Sequence, residues 1–132
     1  MMVRTEVIQR VGGFDPDFFM YCEEVELACR IHRAGWQIDV VPQARIVHFG
    51  GGGQPSDMAL RRRQVSLYIL YRKLFGKTYV GLFHTATQIR CALRWLVGTL
   101  TGRRSQMYRF SKQFNINRDA FRKYRNQLCT TR

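Results

Sequence analysis

The sequence predicts an α/β head over residues 1–56 and a helical, basic extension over residues 57–132. Three observations lead there. Trp36–Val41 alternates, is rich in β-forming residues and ends at Pro42, the pattern of a short strand. The apolar residues of Glu23–Ala34, and those after Asp57, recur instead at helical spacing. The charge divides at the same boundary. Residues 1–56 hold five Lys+Arg against seven Asp+Glu, and residues 57–132 hold seventeen against two. A near-neutral head on a strongly basic tail implies two separate tasks.

Taken in order, Val3–Val11 has helix character, with Val7, Ile8 and Val11 on one side and Gly12–Gly13 as its stop. Phe14-Asp15-Pro16-Asp17 reads as a turn. Phe18, Phe19, Met20 and Tyr21 form an apolar lead-in expected to be buried. The following helix carries Leu27, Ala28, Ile31 and Ala34 on one face. Acids in its first turn and bases in its last suit the helix dipole, and Gly35 ends it. After the strand at Trp36–Val41, a second is expected at Arg45–Phe49, then a flexible loop at Gly50–Gly53.

Asp57 is the expected cap of a helix running to Phe75, with Leu60, Leu67, Leu70, Tyr71 and Leu74 as its apolar side. Tyr79–Leu100 reads as a further helix. Its apolar side is Phe83, Ile89, Leu93, Leu96, Val97 and Leu100, and Thr87, Arg90, Arg94 and Thr101 form its polar side. Its length approaches a membrane span of roughly 20 residues, but two internal arginines would each cost about 2.5–3.5 kcal/mol at mid-bilayer. An interfacial amphipathic helix fits better. Another helix is expected at Arg118–Leu128.

At 132 residues, with 45% apolar and 13% aromatic residues, the chain supports one domain or part of one and is not disordered. Met1–Val11 lacks a signal pattern, and the four cysteines lack a disulfide framework, so a reducing, cytosolic compartment is expected. Cys22, Cys29, His32 and His48 match no common zinc module, and Gly50–Gly53 lacks the Lys-Ser/Thr of a P-loop.

The densest chemical signal is Phe18–Gly35, FFMYCEEVELACRIHRAG, which places Glu23, Glu24 and Glu26 at the mouth of a helix. On their own, three acids in a first turn are often only dipole partners. The surrounding pattern adds more: Val11-Gly12-Gly13-Phe14-Asp15, the FFMY run, Arg33-Ala34-Gly35-Trp36, Val41-Pro42, and Val47-His48 before the glycines. Together these resemble the C-terminal half of the catalytic domain of family 2 glycosyltransferases, in the rhamnosyltransferase-like branch, over about residues 3–53.

The resemblance implies a partial GT-A (Rossmann-like) domain of short strands and helices, a nucleotide-sugar donor, and a divalent metal, Mg or Mn, in the intact enzyme. It implies an inverting transfer to a lipid-linked or polysaccharide acceptor. Matched by position, Glu24 is the general base, Glu23 stands beside it, Glu26 is structural or acceptor-side, and His48 reaches the metal or the diphosphate. A carboxylate suits the base role, because it is ionised at neutral pH and accepts the acceptor's hydroxyl proton. Two departures stand out. Glu24 and Glu26 replace aspartates of the pattern, and the only Asp-x-Asp, Asp15-Pro16-Asp17, falls in a turn where the family has no metal site. A fragment lacking the nucleotide-binding half is therefore expected, with no tightly bound cofactor and no activity by itself.

The basic extension, with Arg61, Arg62, Arg63, Arg90 and Arg94, is read as facing an anionic membrane at the cytoplasmic side of the cell membrane. Nucleic acid, bound by charge and aromatic stacking, is the lesser partner. A non-enzymatic basic module with a relic head is the alternative to an enzyme fragment.

Overall fold

The computed structural model describes residues 1–47 and 55–130. It contains five helices: α1 (Thr5–Val11), α2 (Glu23–Arg33), α3 (Asp57–Phe75), α4 (Lys77–Leu100) and α5 (Arg104–Thr130). Helices α1 and α2 pair in the head, and α3, α4 and α5 pack on one another as a three-helix bundle.

The expected α/β partial GT-A domain is overturned, because no strand or sheet occurs among the described residues. Trp36–Val41 and residues 45–47 are irregular, and Ile38, Val40, Val41, Ile46 and Val47 are all exposed. The reason is that strand pairing is non-local. A β-rich segment becomes a strand only against a partner edge, and the described residues offer none. His48, Phe49 and Gly50–Gly53 lie outside the described residues.

The helices of the head end as local rules require. Gly12 adopts φ 84°, which a side chain would resist, and its N–H bonds Ile8 O. A small core of Val7, Leu27 and Ile31 joins α1 to α2, with Trp36 packed against it. Of the apolar lead-in only Phe18 is buried, while Phe19 is 80% exposed and Met20 is also exposed.

In the bundle, Ser56 rather than Asp57 caps α3: its Oγ accepts from Ala59 N at 3.2 Å. The buried side of α3 is Gln64, Val65, Ser66, Tyr68 and Leu70, rotated from the expected leucine face. Tyr68 is fully buried at the centre, ringed by Phe83, His84, Phe121 and Tyr124. Its hydroxyl meets His84 Nδ1 at 2.8 Å, and His84 stacks on Phe121 with centroids 4.0 Å apart. Burial pushes the Tyr68 hydroxyl pKa up and the His84 pKa down.

α4 turns Thr87, expected on its polar side, into the bundle. It buries Val80, Thr87, Cys91 and Gly98, spaced by seven, four and seven residues, and leaves Ile89, Leu93, Leu96, Val97 and Leu100 exposed. Small residues on the inner face let α5 approach closely. A Cβ on Gly98 would lie 3.1 Å from Met107 Cγ. α5 is much longer than expected and begins at Arg104, with no glycine or proline to interrupt it.

Candidate functional site

α2 sets Glu23 and Glu26, three residues apart, on one side and Glu24 apart from them, and their surroundings differ. Glu26 is buried and takes Arg30 Nε on both carboxylate oxygens at 2.8 Å, one helical turn away. The same guanidinium donates to Gly13 O at 2.6 Å and to Val11 O. Glu26 is thus committed to orienting the arginine that holds the Gly12–Gly13 corner against α2, and the Glu26 bond above all pushes the Arg30 pKa further up. The Glu26–Arg30 pair was open to inference from its i,i+4 spacing. The carbonyls that Arg30 grips are seventeen and nineteen residues away and left no such mark.

Glu24 is exposed and makes no hydrogen bond or ion pair among the described residues. Glu23 is half-buried, and its Oε2 is buried without a partner. Just before them, Tyr21 and Cys22 both take left-handed backbone angles, φ 70° and φ 68°. Two successive non-glycine residues in that region are uncommon and strained, by about 1–3 kcal/mol each. The strained turn leads directly into the first turn of α2 and its carboxylates. Burial, together with the negative charge of Glu24, pushes the Cys22 thiol up.

The preceding turn is anchored to the bundle. Lys73 of α3 reaches both Asp15 and Asp17 at 2.6 Å. Burial alone would raise the Asp15 pKa, but the bonds to Lys73 and the Asp17 amide, with the charges of Lys73 and Arg30, hold it below its usual value. Ser66 Oγ donates to Met20 O at 2.7 Å. The chain entering Glu23–Glu24 is therefore fixed at both ends, by Arg30 within the head and by α3 from outside.

The other sequence-derived candidates fall apart in space. Arg61 pairs with Asp119 of α5, and Arg62 lies 5.0 Å over the Phe19 ring. Arg63 is exposed close to Cys22. Arg94 lies over Phe110 on the α4–α5 side. His48 lies outside the described residues. Among the described residues no three His, Cys, Asp or Glu side chains converge to hold a metal. No described helix is long and apolar enough to cross a membrane.

An acid pair after a strained turn, on a helix that a half-buried arginine ties to a glycine corner, is carried by the motif that resembles family 2 glycosyltransferases. The family model for Glycosyl transferase family group 2 matches residues 1–128, and the chain belongs to that family. It is similar to the N-acetylglucosaminyl-diphospho-decaprenol L-rhamnosyltransferase of Mycobacterium tuberculosis, at 34% identity over 114 residues, 84% of this chain and 34% of that protein. It is similar to the rhamnosyltransferase WbbL of Escherichia coli, at 41% identity over 49 residues, 37% of this chain and 19% of that one. A third relative, the O-antigen biosynthesis protein RfbC of Myxococcus xanthus, is 28% identical over 97 residues, 71% of this chain and 8% of that one. The chain thus spans about a third of the first of these relatives. No solved structure matches it.

Proposed function

We propose that this chain contributes the acceptor side of a rhamnosyltransferase-type sugar transfer, from a nucleotide-sugar to a lipid-linked glycan, with inversion at the anomeric carbon. Glu24 is the general base. It takes the proton of the acceptor hydroxyl while that oxygen attacks the anomeric carbon opposite the departing nucleotide diphosphate. The observation that carries this reading is the contrast within one helical turn. Glu26 is consumed by Arg30, whereas Glu24 is exposed and unpartnered on a strained, doubly anchored turn. Glu23, with one buried oxygen unpartnered, positions the turn beside it.

A Glu24→Gln substitution made in the chromosomal gene tests the base directly. Rhamnosyl transfer in the resulting membranes is expected to fall by about 10²–10⁴, with unchanged protein levels. Glu24→Asp, which restores the shorter carboxylate of the family pattern, is expected to retain transfer. Undiminished turnover with Glu24→Gln would overturn the assignment.

On this reading, a lipid-linked acceptor puts the chain's working position at the cytoplasmic face of the cell membrane. The exposed stripe of Leu82, Ile89, Leu93, Leu96 and Leu100 on α4, beside Arg90 and Arg94, supports a peripheral contact with an anionic leaflet. Sedimentation with anionic vesicles is expected to weaken as salt rises but to persist through the apolar stripe. Absence of vesicle binding at low salt would remove this part of the reading.

A further inference from the structure

A cleft of about 450 Å³ opens between the head's Phe19–Met20 segment and the facing sides of α3 and α5. Its floor is apolar, made of Val65, Ile69 and Ala120. Its rim is cationic. Arg62 lies across the exposed Phe19 ring, and Lys123 makes no ion pair among the described residues. Arg61 also lines the cleft, but Asp119 neutralises it. The basic rim continues along α5 through Arg122, which lines an adjoining depression with Lys123. An apolar floor under unpaired cations suits a ligand with an anionic head on a hydrocarbon chain.

The cleft is built onto the candidate site. Met20 forms part of its wall and is held by Ser66 at 2.7 Å, and Glu24 follows four residues later. Those four residues span at most about 14 Å of chain. Four cations on the rim and its extension, Arg61, Arg62, Arg122 and Lys123, face two acids, Asp17 and Asp119. Both acids are already paired, with Lys73 and Arg61.

We infer that this cleft binds the prenyl diphosphate of the lipid-linked acceptor: Arg62 and Lys123 hold the diphosphate, and the first isoprene units lie on Val65, Ile69 and Ala120. The site rests on the reading that the acceptor is lipid-linked, but it makes no use of Glu24. Binding and transfer therefore fail separately.

The test is calorimetric titration of the full chain with farnesyl diphosphate, a short soluble prenyl diphosphate, at low salt. Saturable binding is expected. The double substitution Arg62→Gln and Lys123→Gln is expected to weaken it at least about tenfold, since charge-assisted hydrogen bonds carry the head group. Met58→Asp, at an exposed rim position that leaves the bundle core untouched, is expected to weaken it too. Glu24→Gln is expected to leave it unchanged. Inorganic diphosphate and farnesol, each offering half of the ligand, are expected to compete at least about tenfold less well. The inference is overturned if farnesyl diphosphate does not bind. It is equally overturned if both rim variants bind it like the parent chain, or if inorganic diphosphate competes equally. Loss of transfer in Glu24→Gln with intact farnesyl diphosphate binding would leave both readings standing.

Discussion

The head and the bundle are held together by different physics. The bundle is organised around one buried aromatic, Tyr68, whose ring contacts draw α3, α4 and α5 together. Among the described residues the head packs around a cluster of three buried apolar residues, and much of its order comes from one guanidinium that satisfies a buried carboxylate and two carbonyls. Apolar packing tolerates small displacements, whereas a charge-based clasp fails when either partner is lost. The head needs that geometry, because it must keep two strained residues and an exposed acid in place. The bundle provides a rigid surface against which the head is pinned.

The largest expected stability effect is in the bundle. Tyr68→Ala should cost about 3–5 kcal/mol through the cavity it leaves, read as a lower urea midpoint for the helical signal. In the head, Arg30→Ala should cost about 3 kcal/mol by stranding the buried Glu26 charge and freeing the Val11 and Gly13 carbonyls. Hydrogen exchange separates the two cases. Arg30→Ala should speed exchange in α1 and α2 while α3–α5 stay protected, and equal acceleration in both regions would collapse the distinction drawn here.

A pH series sharpens the same comparison. The folded pKa of His84 is lowered from its ordinary value of 6.5 by burial. Its contribution is therefore fully present above pH 6.5 and is lost as pH falls below that value toward the folded pKa, because the unfolded chain takes up the proton first. Bundle stability is expected to drop as pH falls below 6.5, and His84→Gln is expected to flatten that drop. Asp15, lowered by its partners against the effect of burial, acts in a more acidic range: its contribution is present above the unfolded value of 3.8 and is lost below it. The smallest expected effect belongs to the tie between the regions. Ser66→Ala should cost about 1 kcal/mol and raise exchange around Met20 without moving the bundle midpoint by more.

What the sequence by itself determined was local. The glycines at 12 and 35 ended their helices because backbone conformation and capping are settled within a few residues. Acids at the start of α2 and bases at its end followed from the helix dipole. The family could be read because its motif is a series of short, closely spaced segments in fixed order. What only the tertiary structure decided was non-local. Trp36–Val41 has strand composition but no partner edge among the described residues, so the expected sheet is absent. α4 carries both an apolar stripe and a line of small residues, and periodicity favoured the stripe. Packing chose Val80, Thr87, Cys91 and Gly98 instead, because close approach to α5 rewards small side chains. The physical cause of the contrast between an exposed Glu24 and a buried, paired Glu26 also lies beyond sequence reading alone. It depends on where the Arg30 guanidinium ends, and that position is set by a glycine corner folded back from the preceding helix.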